Sequence, residues 1–458
     1  MPFRHITILW KGIDMDSFFI IIIGIVVLFF LLAVGTHIGI ALSVSGFLGI
    51  MLVNDFHRAI LMSVTAFYHK ISNPALITVP LFILMGYLAS GGGVSQNLYN
   101  SLSLFLGRIR GGLGIATVLG CTAFGTVCGS SVVTTAVFGK IAAPEMRRHG
   151  YSKSVAYAIC AAAGSIGMLI PPSVLAIVYA MLSGESAGKI LMAGVAPGLL
   201  WALAFGLTII IMGKIKPSSI AMPKIPSVSW GKRIASLRLW WPIIVVAFVI
   251  FGGIYGGVFS PNEASAFAAF ALFVLYFFIN FLVKKGAKRQ QLRELHVILK
   301  DSATTSAMIF LVLGSASIFS NYLVLTGITS RMNDWIMQAG LSPLMLVMII
   351  SFIYLILGCF LDSISMLSIT VPIFNPIILA AKIDPIWYAT IVITSVEIGL
   401  ITPPVGLNLY AAKGVAESDV SLEDIISGIM PYFVAEILCL VILFSFPILS
   451  TYLPSFVG

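Results

Sequence analysis

The chain has 458 residues, of which 59% are hydrophobic and only 9% are charged, and its formal net charge is +9. Soluble domains carry about 25% charged residues, so this composition excludes a soluble globular protein and indicates a membrane protein. The basic residues cluster between apolar runs, where they set membrane topology, so the positive charge does not indicate a nucleic-acid-binding protein.

The first elements in chain order are two apolar runs, 17–34 and 38–53, that meet at Gly35-Thr36-His37. Continuous apolar runs near the ~20 residues that cross a bilayer predict helices, because barrel strands would alternate apolar and polar residues. A short amphipathic piece at 96–106, like a later one at 330–339, is predicted to lie along the membrane surface.

The span 111–146 is mostly apolar but carries small and polar residues at its middle, 125–131. Non-helical backbone at membrane depth is tolerated only inside protein or beside a watery cavity, so this span predicts a re-entrant hairpin. The next span, 151–183, contains Pro171-Pro172. Because proline lacks an N–H and clashes with the preceding turn, this span predicts a broken helix.

A Pro-containing segment, 214–238, predicts a linker, and two further spans follow at 239–259 and 264–283. Glu263 comes just after Pro261 and predicts the start of a helix. The second half then repeats the order of the first, with a hairpin at 343–378 and a broken helix at 383–415 that contains Pro403-Pro404. The basic residues put the two hairpin bases on opposite sides, so the sequence predicts two inverted repeats in an all-α polytopic membrane protein.

The hairpin tips and the helix breaks are the candidate binding positions. Hydroxyls and unwound carbonyls suit a hard cation such as sodium, and glycines let the backbone approach a ligand. The sodium-site candidates are Gly129, Ser130, Ser131, Gly164, Gly167, Pro171, Asp362, Ser363, Gly399, Thr402 and Pro403. The substrate-site candidates, which include half-helix N-termini able to meet a carboxylate, are Ser130, Ser173, Ser365, Gly406 and Asn408.

Structural explanations compete at each of these positions. Gly125 and Gly129 also form a close-packing motif, the proline pairs could be plain kinks, and Asp362 could cap nearby backbone donors. Glu397 could orient the second break or face water, and it is not counted among the ligands.

Enzyme signatures are missing from the sequence. It contains no phosphate-binding loop, no His-Glu-x-x-His and no Gly-x-Ser-x-Gly motif, and its five cysteines show no ligand spacing. We therefore expect no enzyme activity, no organic cofactor and no transition metal, with energy supplied by an ion gradient or by partners.

At this point the residues resemble a known family, the large membrane subunit of tripartite ATP-independent periplasmic (TRAP) transporters. The matching phrases occur in order from about Leu81 to Asn408. They are Gly129-Ser130-Ser131, Pro144-Glu145-Met146, Gly150-Tyr151, the stretch 164–173, Ala193-Gly194, Pro197-Gly198, Phe360-Leu361-Asp362, Pro372-Ile373-Phe374 and, in the stretch 397–406, Glu397, Gly399, Thr402-Pro403-Pro404 and Gly406. Any single phrase is weakly specific, whereas the ordered set is strongly specific.

The resemblance implies the substrate-conducting subunit of a sodium-driven importer of organic acids such as C4-dicarboxylates or sialic acid, in a bacterial inner membrane. It implies two partners, a small membrane subunit on a separate chain and a periplasmic solute-binding protein. It also implies an elevator-type fold, with one sodium site at each tip and break and the substrate between them. We accordingly divide the chain into N-terminal scaffold helices (1–74), the first repeat (75–213), a linker with scaffold helices (214–306), and the second repeat with a C-terminal helix (307–458).

Three other interpretations remain open from the sequence. A self-sufficient sodium/divalent-anion symporter would need no binding protein. An intramembrane enzyme would use Asp362 and Glu397 as an acid pair, and a passive channel would never accumulate solute.

Overall fold

The structure is a computed structural model and describes residues 17–220, 229–278, 288–327, 341–404 and 406–456. These residues are almost entirely helical, and the only extended pairing among them is an isolated bridge between Tyr151 and Ile220. The α-helices, in chain order, are Ser17–Ala33, Ile38–Val53, Phe56–Ile71, Thr78–Gly91, Val94–Leu106, Gly112–Cys128, Ser131–Arg148, Lys153–Leu169, Val174–Ser183, Ala187–Ala193, Val195–Ile215, Trp230–Leu237, Trp241–Ala247, Gly253–Tyr255, Pro261–Phe277, Lys288–Leu325, Pro343–Gly358, Ser363–Ala380, Pro385–Ile401, Leu407–Gly414, Leu422–Ser445 and Ile448–Thr451. Shorter 3-10 or π segments occupy Pro74–Ile77, Arg238–Trp240, Phe248–Gly252 and Leu453–Phe456.

The helices of the described residues confirm a multi-pass membrane protein. Six of them are long and apolar enough to cross a bilayer, and a seventh span forms if two helices bent by 45° at a short break are counted as one. The six are Pro74–Gly91, Ala187–Ile215, Trp230–Gly252, Lys288–Leu325, Ser363–Ala380 and Leu422–Ser445, and the bent pair is Lys153–Leu169 with Val174–Ser183. Large apolar side chains such as Leu203 and Leu438 are exposed on these helices, as expected of surfaces that contact lipid.

Serine side chains start many of the helices. Ser130, Ser152 and Ser173 each precede a helix and accept a hydrogen bond from the backbone N–H three residues later, which satisfies one of the unpaired donors of a helix start. Ser260 and Glu263 form a reciprocal capping box, so the helix start predicted at Glu263 is confirmed.

The chain divides into two compact units. The first consists of Met1–Leu76, Ser306–Leu346 and Ile364–Asp384. In its core, the Tyr322 hydroxyl donates a hydrogen bond to the Ile20 carbonyl at 2.8 Å. Two glycines make room for this ring, because a Cβ added at Gly49 would lie 2.2 Å from Tyr322 Cδ2 and one added at Gly24 would lie 2.5 Å from the hydroxyl.

The second unit consists of Ile77–Thr305, Val347–Ser363 and Pro385–Gly458. Its centre is formed by the first segments of the two broken helices, since every residue from 155 to 169 and from 387 to 401 is buried. An aromatic cluster of Trp201, Phe205 and Tyr432 packs the helix Val195–Ile215 against the helix Leu422–Ser445. This unit contains both proline breaks, and it is where the candidate site lies.

One of two further segments differs from the sequence prediction, and for the other the position along the membrane surface stays a prediction. The predicted linker 214–238 is helical at Trp230–Leu237, and its residues 221–228 lie outside the described residues. The predicted surface piece at 96–106 belongs to the helix Val94–Leu106, whose Leu98 and Tyr99 are 1% and 2% exposed. One face of this helix therefore packs into the protein. The second such piece, 330–339, lies outside the described residues.

Candidate ion and substrate site

The first tip is the turn between the helices Gly112–Cys128 and Ser131–Arg148. Gly129 ends the first helix with φ +63, a left-handed conformation that favours glycine. Ser130 follows in an extended conformation and caps the second helix, because its hydroxyl accepts a hydrogen bond from the Val133 N–H at 3.4 Å. The polar interruption seen in the sequence is therefore a turn between two helices, and the re-entry of this hairpin into the membrane stays a prediction.

The first tip contacts the first break, which comprises residues 170–173. The Val174 N–H donates to the Gly129 carbonyl at 3.4 Å. The backbones approach so closely that a Cβ added at Gly125 would lie 2.7 Å from Gly167 Cα, and one added at Gly164 would lie 3.0 Å from the Ser131 carbonyl oxygen. The structure thus brings the predicted tip residues and the predicted break glycines together.

The second tip and break, residues 359–362 and 402–406, make the corresponding contacts. The Gly406 N–H donates to the Cys359 carbonyl at 3.4 Å, and a Cβ added at Gly399 would lie 2.7 Å from Gly358 Cα. Gly406 has φ +51, which explains the glycine there. Val405 lies outside the described residues.

Several buried polar side-chain atoms around the first tip and the two broken helices have no hydrogen-bond partner. They are Ser131 Oγ, Thr135 Oγ1, Thr394 Oγ1, both carboxylate oxygens of Glu397, the amide oxygen and nitrogen of Asn408, and Glu436 Oε2. All six residues have 0% exposed side chains and belong to the second unit. About nine in ten buried polar groups in native proteins are hydrogen-bonded, so this concentration of unpaired oxygens indicates a place for ions, water or a polar ligand.

Other predicted residues already use their polar atoms within the fold. The Ser173 hydroxyl accepts from the Ala176 N–H at 3.1 Å as a helix cap, and the Thr402 hydroxyl donates to the Ile398 carbonyl at 2.7 Å. Their oxygens keep a second lone pair that a cation could use. Pro171 and Pro403 contribute by interrupting their helices, and the peptide bonds Pro171-Pro172 and Pro403-Pro404 are cis.

At the second tip, Asp362 is exposed, whereas Ser363 and Ser365 are 6% and 4% exposed. Both serines lie on the helix Ser363–Ala380. The carboxylate predicted to neutralise a cation is thus at the surface of the tip, and the hydroxyls are the enclosed groups.

Two carboxyl groups were not predicted as site residues. Glu397 lies in the helix Pro385–Ile401, where the Ser131 hydroxyl faces its carboxyl group, although neither completes a hydrogen bond of standard geometry. Glu436 lies in the helix Leu422–Ser445 and accepts a hydrogen bond from Ser165 Oγ at 3.0 Å. A fully buried acid in an apolar helix is costly, and applying that rule to the sequence would also have identified Glu436.

A group of ion pairs joins helix ends and a loop in the second unit. Arg147, at the end of the first hairpin, pairs with Glu417 and with Asp419, the latter at 2.7 Å. Lys153, at the start of the first broken helix, pairs with Asp424 at 2.6 Å. The hydrogen bond from Arg147 lowers the pKa of Asp419, which lies in the loop, below its usual value.

The donor groups at the tips and breaks are of a kind that hard cations bind. Among the residues that the structure describes, no three His, Cys, Asp or Glu side chains converge on one point. The groups at the tips and breaks are hydroxyl, amide, carbonyl and carboxylate oxygens, which are the ligands of hard cations.

The sequence is similar to known transport proteins. Residues 25–449 match the family described as "Tripartite ATP-independent periplasmic transporter, DctM component". The C4-dicarboxylate TRAP transporter large permease protein DctM of Pseudomonas aeruginosa is 35% identical over 91% of this chain and 94% of its own. The ectoine TRAP transporter large permease protein TeaC of Halomonas elongata is 31% identical over 83% of this chain and 86% of its own.

A further TRAP relative and one solved structure are also similar to this chain. The sialic acid TRAP transporter large permease protein SiaM of Vibrio cholerae is 28% identical over 84% of this chain and 87% of its own. The YdaH transporter of Alcanivorax borkumensis has a similar fold, with a TM-score of 0.62 at 14% identity over 87% of this chain and 90% of that one. The three TRAP relatives are large permease proteins.

Proposed function

Because the chain belongs to the DctM component family of tripartite ATP-independent periplasmic (TRAP) transporters, we propose that it is the substrate-translocating subunit of a sodium-coupled importer. Its substrates are small organic acids, delivered by a periplasmic binding protein. The relatives named for C4-dicarboxylates and sialic acid support carboxylates as the substrate class. Its place is the inner membrane of a bacterial cell.

One observation carries the proposal of ion coupling. Fully buried polar atoms without partners lie on the first hairpin, on the second broken helix and on the helix Leu422–Ser445 of one compact unit. Burying such atoms unpaired costs about 1–3 kcal/mol each. A transported cation that these oxygens coordinate would offset that cost, whereas a purely structural core would place apolar side chains here.

In the proposed mechanism, sodium binds at each tip and break. The first site uses Gly129, Ser130 and Ser131 with Gly164, Gly167 and Pro171, and the second uses Asp362 and Ser363 with Gly399, Thr402 and Pro403. The substrate carboxylate binds near Ser130, Gly406 and Asn408, with Ser173 as a further candidate. The role predicted for Ser365, which belongs to the first unit, stays a prediction.

The proposed movement is of the elevator type, between two inverted repeats. Its support is that each repeat has a hairpin tip bonded to its own proline break through a backbone hydrogen bond of 3.4 Å. The division into 1–74, 75–213, 214–306 and 307–458 stays a prediction within this mechanism.

The proposed partners follow from the family name, which describes a tripartite system. They are a small membrane subunit on a separate chain and a soluble binding protein. The small subunit would cover part of the apolar surface, and the binding protein would release the acid towards the tips.

Uptake into proteoliposomes tests the function. The chain is reconstituted with its small subunit, and accumulation of a labelled organic acid is measured with and without the binding protein, under an inward sodium or potassium gradient. We expect accumulation only with sodium and the binding protein together. Uptake without the binding protein would favour the self-sufficient symporter, and equilibration without accumulation would favour a channel.

A further inference from the structure

Glu397 is a fully buried acid without a cationic partner. Its side chain is 0% exposed, and neither carboxylate oxygen accepts a hydrogen bond. Among the described residues, no Lys, Arg or His forms an ion pair with it, and its carboxyl group acts electrostatically on a second buried acid, Glu436. An ionised carboxylate in such surroundings costs several kcal/mol unless a positive charge lies beside it.

A second buried group points at the same position. The Ser131 hydroxyl is 0% exposed and unpaired, and it faces the Glu397 carboxyl group. Two oxygens from different parts of the chain, one on the first hairpin and one on the second broken helix, therefore face each other without bonding. Paired oxygens of this kind are the arrangement that a small cation would bridge.

Glu436 provides an internal comparison. It is equally buried, but Ser165 Oγ donates a hydrogen bond to it at 3.0 Å, and the same hydroxyl also contacts the Ala162 carbonyl at 2.6 Å. One carboxylate oxygen of Glu436 is thus bonded to a side chain of the first broken helix and the other is unpaired, whereas both oxygens of Glu397 are unpaired. The two acids have the same chemistry but differ in whether a protein group bonds to one of their oxygens.

We propose that Glu397 is the charged ligand of the cation site at the first tip, so that the second broken helix completes a site otherwise built by the first repeat. This inference rests on the proposed function, because it adds a ligand to the sodium site at Ser131. As a consequence, a cation bound at the first site contacts residues of both repeats. An empty site leaves a buried acid without a counter-charge, which penalises movement of the unloaded protein.

The test measures sodium binding by the purified chain rather than transport. Thermal unfolding is followed in increasing NaCl, with KCl keeping the ionic strength constant. We expect Glu397→Gln to raise the half-saturating sodium concentration at least about tenfold, equivalent to about 1.4 kcal/mol. Glu436→Gln, the matched control, should change it less than about threefold.

The sodium responses of the two glutamine variants decide whether Glu397 is a ligand. An unchanged sodium response in Glu397→Gln, as expected if the acid is simply protonated, overturns the proposal, and equal losses in both glutamine variants overturn its assignment to Glu397. If Glu397→Gln does not fold in KCl, then Glu397→Asp decides: a weakened response supports the proposal and an unchanged one overturns it. A wild-type chain with no sodium response would instead overturn sodium coupling itself.

Discussion

At the scale of single residues, the proposed ligand binding depends on polar atoms that the fold leaves unpaired. A buried hydroxyl or amide without a partner lowers the free energy of unfolding by about 1–3 kcal/mol relative to a paired one. Ser131 and Asn408 are both 0% exposed and unpaired. Their polar groups therefore lower the free energy of unfolding of the ligand-free protein. A role in ligand binding would explain why the protein keeps them.

Replacing Ser131 with alanine removes a hydroxyl from the first sodium site, so we expect weaker sodium dependence of uptake with the fold retained. The measurement is the sodium concentration giving half-maximal uptake, which should rise several-fold. Thr117→Val is the control, since the Thr117 hydroxyl is equally buried in the same hairpin but donates to the Leu113 carbonyl at 2.9 Å. Equal effects of the two variants would argue against Ser131 as a ligand.

Replacing Asn408 with leucine removes two unpaired polar atoms at similar volume. We expect an unchanged or higher thermal unfolding midpoint together with a higher KM for the acid, because function and stability compete at such a residue. Unfolding in detergent and the concentration dependence of uptake measure the two effects. A destabilised variant with normal KM would assign Asn408 a structural role.

The sequence selected Ser131 and Asn408 as candidates because each lies beside a proline or glycine interruption. It did not identify the role of Glu436, because composition shows that an apolar helix contains an acid but not which neighbour meets it. The Ser165 hydroxyl that bonds Glu436 is 271 positions away in the chain, and such a contact is visible only in three dimensions.

At the scale of elements, close backbone contact joins each tip to its break. Gly125 meets Gly167, and Gly358 meets Gly399, at distances that leave no space for a Cβ. The atoms that an added Cβ would meet are backbone atoms, which cannot rotate away as a side chain could. The glycines therefore determine whether each hairpin can pack against its broken helix.

We expect Gly125→Ala and Gly399→Ala to destabilise the chain by about 1–3 kcal/mol, as overpacked cores do. Gly206→Ala is the matched control, because a Cβ there would meet nothing within 4 Å and alanine favours a helix by up to about 1 kcal/mol. Thermal unfolding midpoints compare the three variants. Midpoints for all three at or above the wild-type value would contradict the close contact.

The ion pairs at the end of the first hairpin should make stability depend on pH. Because Arg147 lowers the pKa of Asp419, the folded state favours the ionised carboxylate. The stability that the ionised Asp419 carboxylate adds to the folded state is complete above the usual pKa of about 3.9. This stability is lost as the pH falls through the lower pKa that Asp419 has in the folded state. Asp419→Asn should therefore lower the unfolding midpoint at pH 7 and have no effect well below pH 4.

High salt provides the control for this prediction, since Asp419 is 56% exposed and exposed pairs are screened. The difference between wild type and Asp419→Asn at pH 7 should shrink in high salt. A difference that persists at low pH would contradict the ion pair as its cause.

The element boundaries were largely predictable. The hairpin predicted at 111–146 is observed as Gly112–Cys128 and Ser131–Arg148, and the broken helix predicted at 151–183 as Lys153–Leu169 and Val174–Ser183. Proline and glycine signal these ends locally. The helix Trp230–Leu237 was missed because the nearby prolines suggested a linker throughout, although none falls within the helix itself.

At the scale of the whole molecule, the sequence predicted an all-α membrane protein, and the family comparison and helix content confirm it. The grouping into compact units was not predictable, because residues from distant parts of the chain join in each unit. Local periodicity specifies helices, but the choice of partner helix depends on side chains far apart in sequence. The two tips and breaks nevertheless share one unit, as coupled sites would require.

Sodium coupling is tested most directly by the flux of radioactive sodium into proteoliposomes containing the chain, its small subunit and the binding protein. We expect sodium entry to require both the organic acid and the binding protein, and to rise in proportion to acid uptake. Acid accumulation without any accompanying sodium entry would contradict it.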